Sequence, residues 1–255
     1  MKKIRLLLEY DGSAYHGWQV QKDATTIQGV LEECIFRLTG EVIPVIGASR
    51  TDAGVHALGQ VAAFRTDSGL DSGTIKRALN ATLPNDIRVL AAAEVNEAFH
   101  PRDDALRKRY CYMIANQRAA SAFLFRYSWI VPHMLDTRLM HEASRVLIGR
   151  HDFSAFMGSG SDIRDGVRHI YSLSVDKLEG VIFMGVQLQG NFIKITAEAN
   201  GFLRHMVRNI VGTLVEIGRA RFLSEGMKGI LESCDRRNAG QTAPAHGLFL
   251  ERIDY

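Results

Sequence analysis

The sequence predicts an α+β protein in which two lobes share one continuous, mostly antiparallel sheet flanked by helices. Three observations carry that expectation. Between Ile4 and Ala93 the apolar pattern switches between period 2 and period 3.6 in the order β-α-β-β-α-β, a split, ferredoxin-like arrangement. The second half has a similar mix of strands and helices, with no detectable sequence repeat. The only Gly/Ser-rich stretch, Gly158 to Asp165, is short enough to be a mobile surface loop rather than a linker between domains.

Ile4 to Tyr10 alternates as a strand and ends at the turn pair Asp11-Gly12. Thr26 to Leu38 reads as a helix, because Ile27, Val30, Leu31, Cys34, Ile35 and Leu38 fall on one face. Strands are expected at Val42 to Ile46 and Gly59 to Arg65. A second helix, capped at Asp71 or Ser72, turns Ile75, Ala78 and Leu79 inward. The strand Ile87 to Ala93 completes the first lobe, residues 1–105.

Residues 106–255 form the second lobe. Arg109 to Ile114 is a strand with Tyr110, Tyr112 and Ile114 on one face. Asn116 to Tyr127 connects the halves. Asp136 caps a helix whose Leu139, Met140, Ala143, Val146 and Leu147 face a core, and Gly149 stops it. Strands follow at His169 to Asp176, Val181 to Gln189 and Phe192 to Ala199. Gly201 to Ile217 reads as a long helix, Ser224 to Cys234 as a shorter one, and Leu248 to Ile253 as a closing strand.

Composition excludes several classes. A hydrophobic fraction of 46% and a charged fraction of 23% are those of an ordinary globular chain. No apolar run approaches the roughly 18–20 residues that span a bilayer. The opening MKKIRLLLEYDG is interrupted by Arg5 and Glu9, so it is a strand rather than a signal peptide, and a cytoplasmic location is expected. Cys34, Cys111 and Cys234 are widely spaced and make no zinc pattern with the scattered histidines, so no metal is expected. The net charge of +3 is a weak sign of an acidic partner. Its distribution says more: Arg107-Lys108-Arg109, the group Arg204, Arg208, Arg219 and Arg221, and the pair Arg236-Arg237 suit a phosphate backbone.

The chemistry concentrates in Gly47 to His56, GASRTDAGVH, which sets one carboxylate, Asp52, between Arg50, Thr51 and a glycine, with His56 close behind. A turn in which Asp52 bonds the N–H groups of Ala53 and Gly54 is the plain alternative to catalysis. The flanking run and the rest of the chain shift the balance. Glu9-Tyr10-Asp11-Gly12 with Gly17-Trp18-Gln19, Thr51 to His56 with Gly59-Gln60-Val61 and Phe64, Leu83-Pro84-Asn85-Asp86-Ile87, Phe99-His100 with Arg102, Arg109-Tyr110 with Tyr112, and Phe202 with His205 to Gly212 occur in that order. Together they resemble the tRNA pseudouridine synthase A family, collinearly over nearly the whole chain. Ser49 departs from the glycine common there, a small polar change that touches loop geometry rather than chemistry.

The resemblance implies the pseudouridine synthase fold, two ferredoxin-like lobes on one sheet, and isomerisation of uridine to pseudouridine in tRNA. It further implies action at positions 38, 39 and 40 of the anticodon arm by a homodimer, with no cofactor and no metal. Asp52 then attacks C6 of the uracil or C1′ of the ribose, or abstracts a sugar proton; the sequence leaves all three open. A buried carboxylate needs an opposite charge to stay ionised. Arg208, which the helix pattern sets beside Arg204 at the edge of an apolar stripe, is the partner the resemblance favours. Tyr110 becomes the ring that stacks on the uracil, with Tyr112 left as core, and Arg50 the side chain that fills the stem when the base is extruded. Arg107, Lys108 and Arg204 are candidate substrate contacts. A hydrolase that cleaves a glycosidic bond normally uses two carboxylates, and Asp11 is more simply a turn residue; a non-catalytic tRNA-binding or folding protein would not need Asp52, Tyr110 and Arg208 together.

Overall fold

The computed structural model describes residues 1–160 and 165–255. The chain divides into two compact units, Met1–Leu106 with Phe249–Tyr255, and Arg107–Leu248. Both mix helices with largely antiparallel strands, the α+β class the patterns predict.

In the first unit, β1 (Lys2–Tyr10), α1 (Ile27–Thr39), β2 (Ile46–Gly47), β3 (His56–Thr66), α2 (Ser72–Thr82) and β4 (Ile87–Val95) follow the expected order. β1 lies between β4 and β3, and β2 pairs on β3, all antiparallel. That 4-1-3-2 order is the split βαββαβ layout. The closing strand β10 (Leu248–Asp254) adds to it, pairing in parallel with the start of β3 through Phe249↔His56 and Leu250↔Ala57. Thr26 caps α1 by accepting the Gly29 N–H at 3.3 Å, and Gly40 ends it in the left-handed region at φ 75°. Asp71 caps α2 through Thr74 N at 3.0 Å. Ile27, Leu31, Cys34, Ile35, Ile75 and Leu79 are buried on the inward face that the spacing marks, although Val30, Leu38 and Ala78 are only half-buried.

The expected strand Val42 to Ile46 shrinks to Ile46–Gly47. Pro44 has no N–H to give a ladder, and Val45 N donates to a side chain instead, Glu32 Oε1 at 2.9 Å. Val42 is left exposed.

The second unit holds β5 (Arg107–Ala115), β6 (Trp129–Ile130), α3 (Thr137–Arg145), β7 (Gly149–Asp152), β8 (Val167–Phe183), β9 (Val186–Ala199), α4 (Met206–Gly218) and α5 (Gly226–Ser233). Its strands lie in the order β5-β9-β8-β7, antiparallel, with β6 parallel on the far side of β5. Asp136 caps α3 by accepting from Arg138 N and Leu139 N. Three boundaries differ from the sequence pattern. The helix α3 stops at Arg145, before Gly149, whose φ of 111° opens β7 instead. Val181 to Gln189 is no single strand, because Met184 (φ 52°) and Gly185 (φ 78°) make a two-residue hairpin turn between β8 and β9. The helix α4 begins at Met206, since His205 sits in the left-handed region at φ 60° and breaks any helical continuation from Gly201. Of the expected loop Gly158 to Asp165, residues Ser161 to Arg164 lie outside the described residues.

Candidate active site

The first unit presents Asp52 on the irregular segment between β2 and β3, and that segment is clamped from below. Gln60, fully buried on β3, accepts the Ser49 N–H (3.2 Å) and donates to Ser49 O (2.7 Å) through the same carboxamide. Its Nε2 also reaches the Tyr10 hydroxyl at 3.4 Å, and that hydroxyl shares a 2.8 Å hydrogen bond with Thr51 Oγ1. Burial drives the Tyr10 phenol far above its ordinary pKa, so it is a neutral hydrogen-bonding group. Trp18 N donates to Thr51 O at 3.0 Å, and the Gly17 backbone (φ 88°) passes so close that a Cβ there would stand 2.6 Å from the same oxygen.

Beyond Thr51 the chain turns. Val55 N closes the turn onto the main-chain carbonyl of Asp52 (3.1 Å), with Gly54 at φ 76°. The Gly54 N–H goes to Tyr15 O at 3.2 Å. His56, fully buried, accepts the Gly12 N–H at Nδ1 (3.1 Å) and stacks on Phe249 with centroids 4.7 Å apart. Its hydrogen bond ties the start of β3 to the turn at Gly12. Asp52 itself is half-buried and Arg50 exposed. Burial, with the positive charge of Arg50, lowers the pKa of the half-buried Arg102 guanidinium, which sets Arg102 within electrostatic reach of Arg50. The sequence marked Arg102 only as part of a motif and gave it no task.

The second unit carries the other candidates. Tyr110 on β5 is buried and meets Phe202 edge-on at 5.3 Å between centroids. Tyr112 is wholly buried, as its core assignment expects, and donates its hydroxyl to Pro244 O at 2.7 Å. Arg208 lies in the first turn of α4, half-buried, with Nε donating to Ala243 O at 2.8 Å. Arg204 is not its helical neighbour, because it precedes the His205 break; its Nη1 donates to Ser159 O (3.1 Å) and Gly160 O (3.2 Å).

The basic clusters are largely spent inside the unit. Arg107 and Arg109 grip the buried Glu198 at 3.2 and 2.9 Å, and Arg107 also lies over the Tyr171 ring at 4.8 Å. Lys108 is half-buried between them. Arg219 and Arg221 share Glu216 at 3.3 and 3.2 Å. Arg237 pairs with Asp235, whose carboxyl it holds down at about 2, and Arg236 turns inward to Asn209 and Thr242. The segment Gly240 to Gly247, to which the sequence reading gave no role, supplies partners to Arg208, Tyr112 and Arg236; its signal was a Gly/Pro-bearing aperiodic run before the last strand. Among the described residues, no group of three or more His, Cys, Asp or Glu side chains could hold a metal ion, and no helix is long and apolar enough to cross a membrane.

A family model described as tRNA pseudouridine synthase matches residues 7–102 and 143–255. The chain is 42% identical to a tRNA pseudouridine synthase A of Thermodesulfovibrio yellowstonii, 45% to one of Thermoanaerobacter pseudethanolicus and 44% to one of Acetivibrio thermocellus, in each case over the whole of both chains. The fold and these matches together define an RNA-modifying isomerase. The chain belongs to the tRNA pseudouridine synthase family.

Proposed function

We propose that this tRNA pseudouridine synthase acts on the anticodon arm, at positions 38, 39 and 40, with Asp52 as its nucleophile. The observation that carries the assignment is the clamp beneath Asp52. Gln60, Tyr10 and the close approach of Gly17 fix Ser49 and Thr51, and the turn closes through main-chain atoms. A loop held this way can present one carboxylate to a substrate with little reorganisation. The reaction breaks N1–C1′, rotates the uracil and forms C5–C1′; the proton on C5 ends on N1, so no redox partner and no water is consumed.

In this proposal Arg208 supplies a positive charge to the reaction, Tyr110 stacks on the uracil, and Arg50 occupies the space the extruded base leaves. The nearby Arg102 supports a basic surface beside Arg50. Lys108, Arg107 and Arg204 contact the RNA backbone, the latter two with guanidiniums already oriented by Glu198, Ser159 and Gly160. A homodimer is supported by apolar residues at the β8–β9 hairpin tip, where Ile182, Met184 and Val186 are 80%, 87% and 62% exposed beside the stacked rings of Phe123 and Phe183. A cytoplasmic location follows from the substrate.

The test is to incubate the protein with unmodified tRNA and map pseudouridine along it. Pseudouridine at 38, 39 and 40, lost in Asp52→Asn with tRNA affinity retained, is the expected result. Normal yield from Asp52→Asn overturns the nucleophile assignment, free uracil points to hydrolysis, and modification outside the anticodon arm overturns the site choice.

A further inference from the structure

The segment from Ala239 to Pro244 has no regular secondary structure, yet it is fastened along α4 at successive points. Gly240 N donates to Thr213 Oγ1 at 2.9 Å, and Thr242 Oγ1 donates to Asn209 Oδ1 at 2.7 Å. Ala243 and Arg208 exchange two hydrogen bonds: Ala243 N to the Arg208 carbonyl (3.1 Å) and Arg208 Nε to the Ala243 carbonyl (2.8 Å). The approach is too close for side chains. A Cβ on Gly212 would overlap the Gln241 carbonyl, and one on Gly240 would stand 2.8 Å from Thr213 Cα. One of the hydrogen bonds that direct the Arg208 guanidinium therefore depends on where the strap puts Ala243 O.

What holds the strap is Arg236. Its Nη2 donates to Asn209 Oδ1 and Thr242 Oγ1, both at 3.1 Å, and its Nη1 to Ala239 O at 3.3 Å. Asn209 is itself fully buried and anchored by Nδ2 to Phe156 O at 2.7 Å, which leaves its Oδ1 as the acceptor for both Arg236 and Thr242. Among the described residues the acceptors of Arg236 are all neutral. Burial lowers its pKa, and no carboxylate among the described residues offsets that desolvation. A cation placed so contributes little net stability compared with an apolar side chain of similar volume. What it does supply is geometry, because a planar fork can fix α4 and both ends of the strap at once.

We propose that Arg236, with Asn209 and Thr242, is a positioning residue for pseudouridylation: it holds the Ala239–Pro244 strap so that the Ala243 carbonyl orients Arg208. The inference rests on the reading of Arg208 as a catalytic side chain. Its test compares Arg236→Met, Thr242→Val, Thr242→Ser and Arg208→Lys in the full-length enzyme, measuring single-turnover rate, kcat and KM for tRNA, and thermal midpoint. Thr242→Val keeps the side-chain shape, so it reports on the bond even if Arg236→Met folds poorly.

Arg236→Met and Thr242→Val are expected to lower kcat by about 10- to 100-fold while KM changes by less than about twofold, the size typical of a misplaced reacting group. Thr242→Ser, which restores the hydroxyl, should recover most of that loss. Combined with Arg208→Lys, Arg236→Met should cost little further rate, as expected of residues that act as a unit. A merely structural network would move the midpoint and leave kcat per folded molecule unchanged, and that outcome overturns the proposal. Full activity in Arg208→Lys would overturn the reading of Arg208 and this inference with it. Loss in Arg208→Lys with normal kcat in Arg236→Met and Thr242→Val would overturn the inference alone.

Discussion

Replacing Gln60 with leucine should uncouple Asp52 from the sheet. The two side chains are close in size, so little cavity forms; what disappears is the carboxamide. Ser49 loses the acceptor of its N–H (3.2 Å) and the donor to its C=O (2.7 Å), and Tyr10 loses a weaker contact at 3.4 Å. An unmet polar group in a buried site costs about 1–3 kcal/mol, and water can reach part of the half-buried Ser49, so the sum is about 2–4 kcal/mol. In a chain of this size each kcal/mol lowers the midpoint by about 2–4 °C, which gives a fall of about 5–15 °C. Ser49 lies three residues from Asp52, so a loosened loop should also lower kcat by about 10- to 100-fold with KM for tRNA little changed. Differential scanning calorimetry and single-turnover pseudouridine formation read the two effects. Gln60→Glu is a useful control. Its carboxylate accepts from Ser49 N but cannot donate to Ser49 O, so it should regain stability relative to wild type as acid restores a donor proton. A midpoint within about 2 °C of wild type and an unchanged kcat in Gln60→Leu would refute the clamp, since both terms derive from the same lost bonds.

Three further substitutions probe the supports. Gly17→Ala combines a left-handed φ of 88° with a Cβ 2.6 Å from Thr51 O; beyond a backbone cost of about 1 kcal/mol, it should displace the Asp52 loop and abolish most activity, read as yield of pseudouridine per folded molecule. Burial pushes the Glu198 carboxyl up, but Arg107 and Arg109 more than offset it and leave it below its ordinary 4.5. Its contribution is therefore complete above that value and lost as pH falls through the lower folded value; the stability gap between wild type and Glu198→Gln, followed by denaturant melts, should close in acid and stay open at neutral pH. Tyr112→Phe removes the donor to Pro244 O (2.7 Å) and should cost about 1–2 kcal/mol in urea unfolding. Because Pro244 adjoins Ala243 on the strap, the same change should lower kcat.

Much of this was legible in the chain, where local physics is strong. The β-α-β-β-α-β order of the first unit follows from apolar periodicity, and Asp71 and Asp136 cap the helices they precede because their short side chains reach the first free N–H groups. Failures occur where a distant partner decides. The run Val181 to Gln189 is apolar and β-branched on both sides of Met184-Gly185, with no Asn or Asp to mark the turn. Val42 to Val45 has strand composition, but Pro44 has no N–H for a ladder and Val45 N turns to the Glu32 side chain. The Arg236-Arg237 pair looked like a phosphate contact because charge alone does not reveal its acceptor; Asp235 takes one member and the Asn209–Thr242 pair the other. The break at His205 has no glycine or proline at the position itself, so helical periodicity ran through it.

The residues that carry the family resemblance fall mostly on supports rather than on chemistry. Around Asp52, Tyr10 holds Thr51, Gly17 makes room for the Thr51 carbonyl, Trp18 binds that carbonyl and Gln60 holds Ser49. Around Arg208, Asn209 anchors the strap and Gly212 lets it approach. In each unit the candidate side chain stands on irregular backbone or on a first helical turn, and fully buried polar groups one layer down remove the freedom that such backbone would otherwise have. A carboxylate or guanidinium on an unsupported loop would spend most of its time misdirected, and the rate would fall with that fraction. The clamp beneath Asp52 and the strap over Arg208 share one device in different units: a fully buried carboxamide that both donates and accepts. Gln60 takes the Ser49 N–H and gives to the Ser49 carbonyl, while Asn209 gives to Phe156 O and takes the Thr242 hydroxyl, so each ties separate segments together without adding a charge of its own.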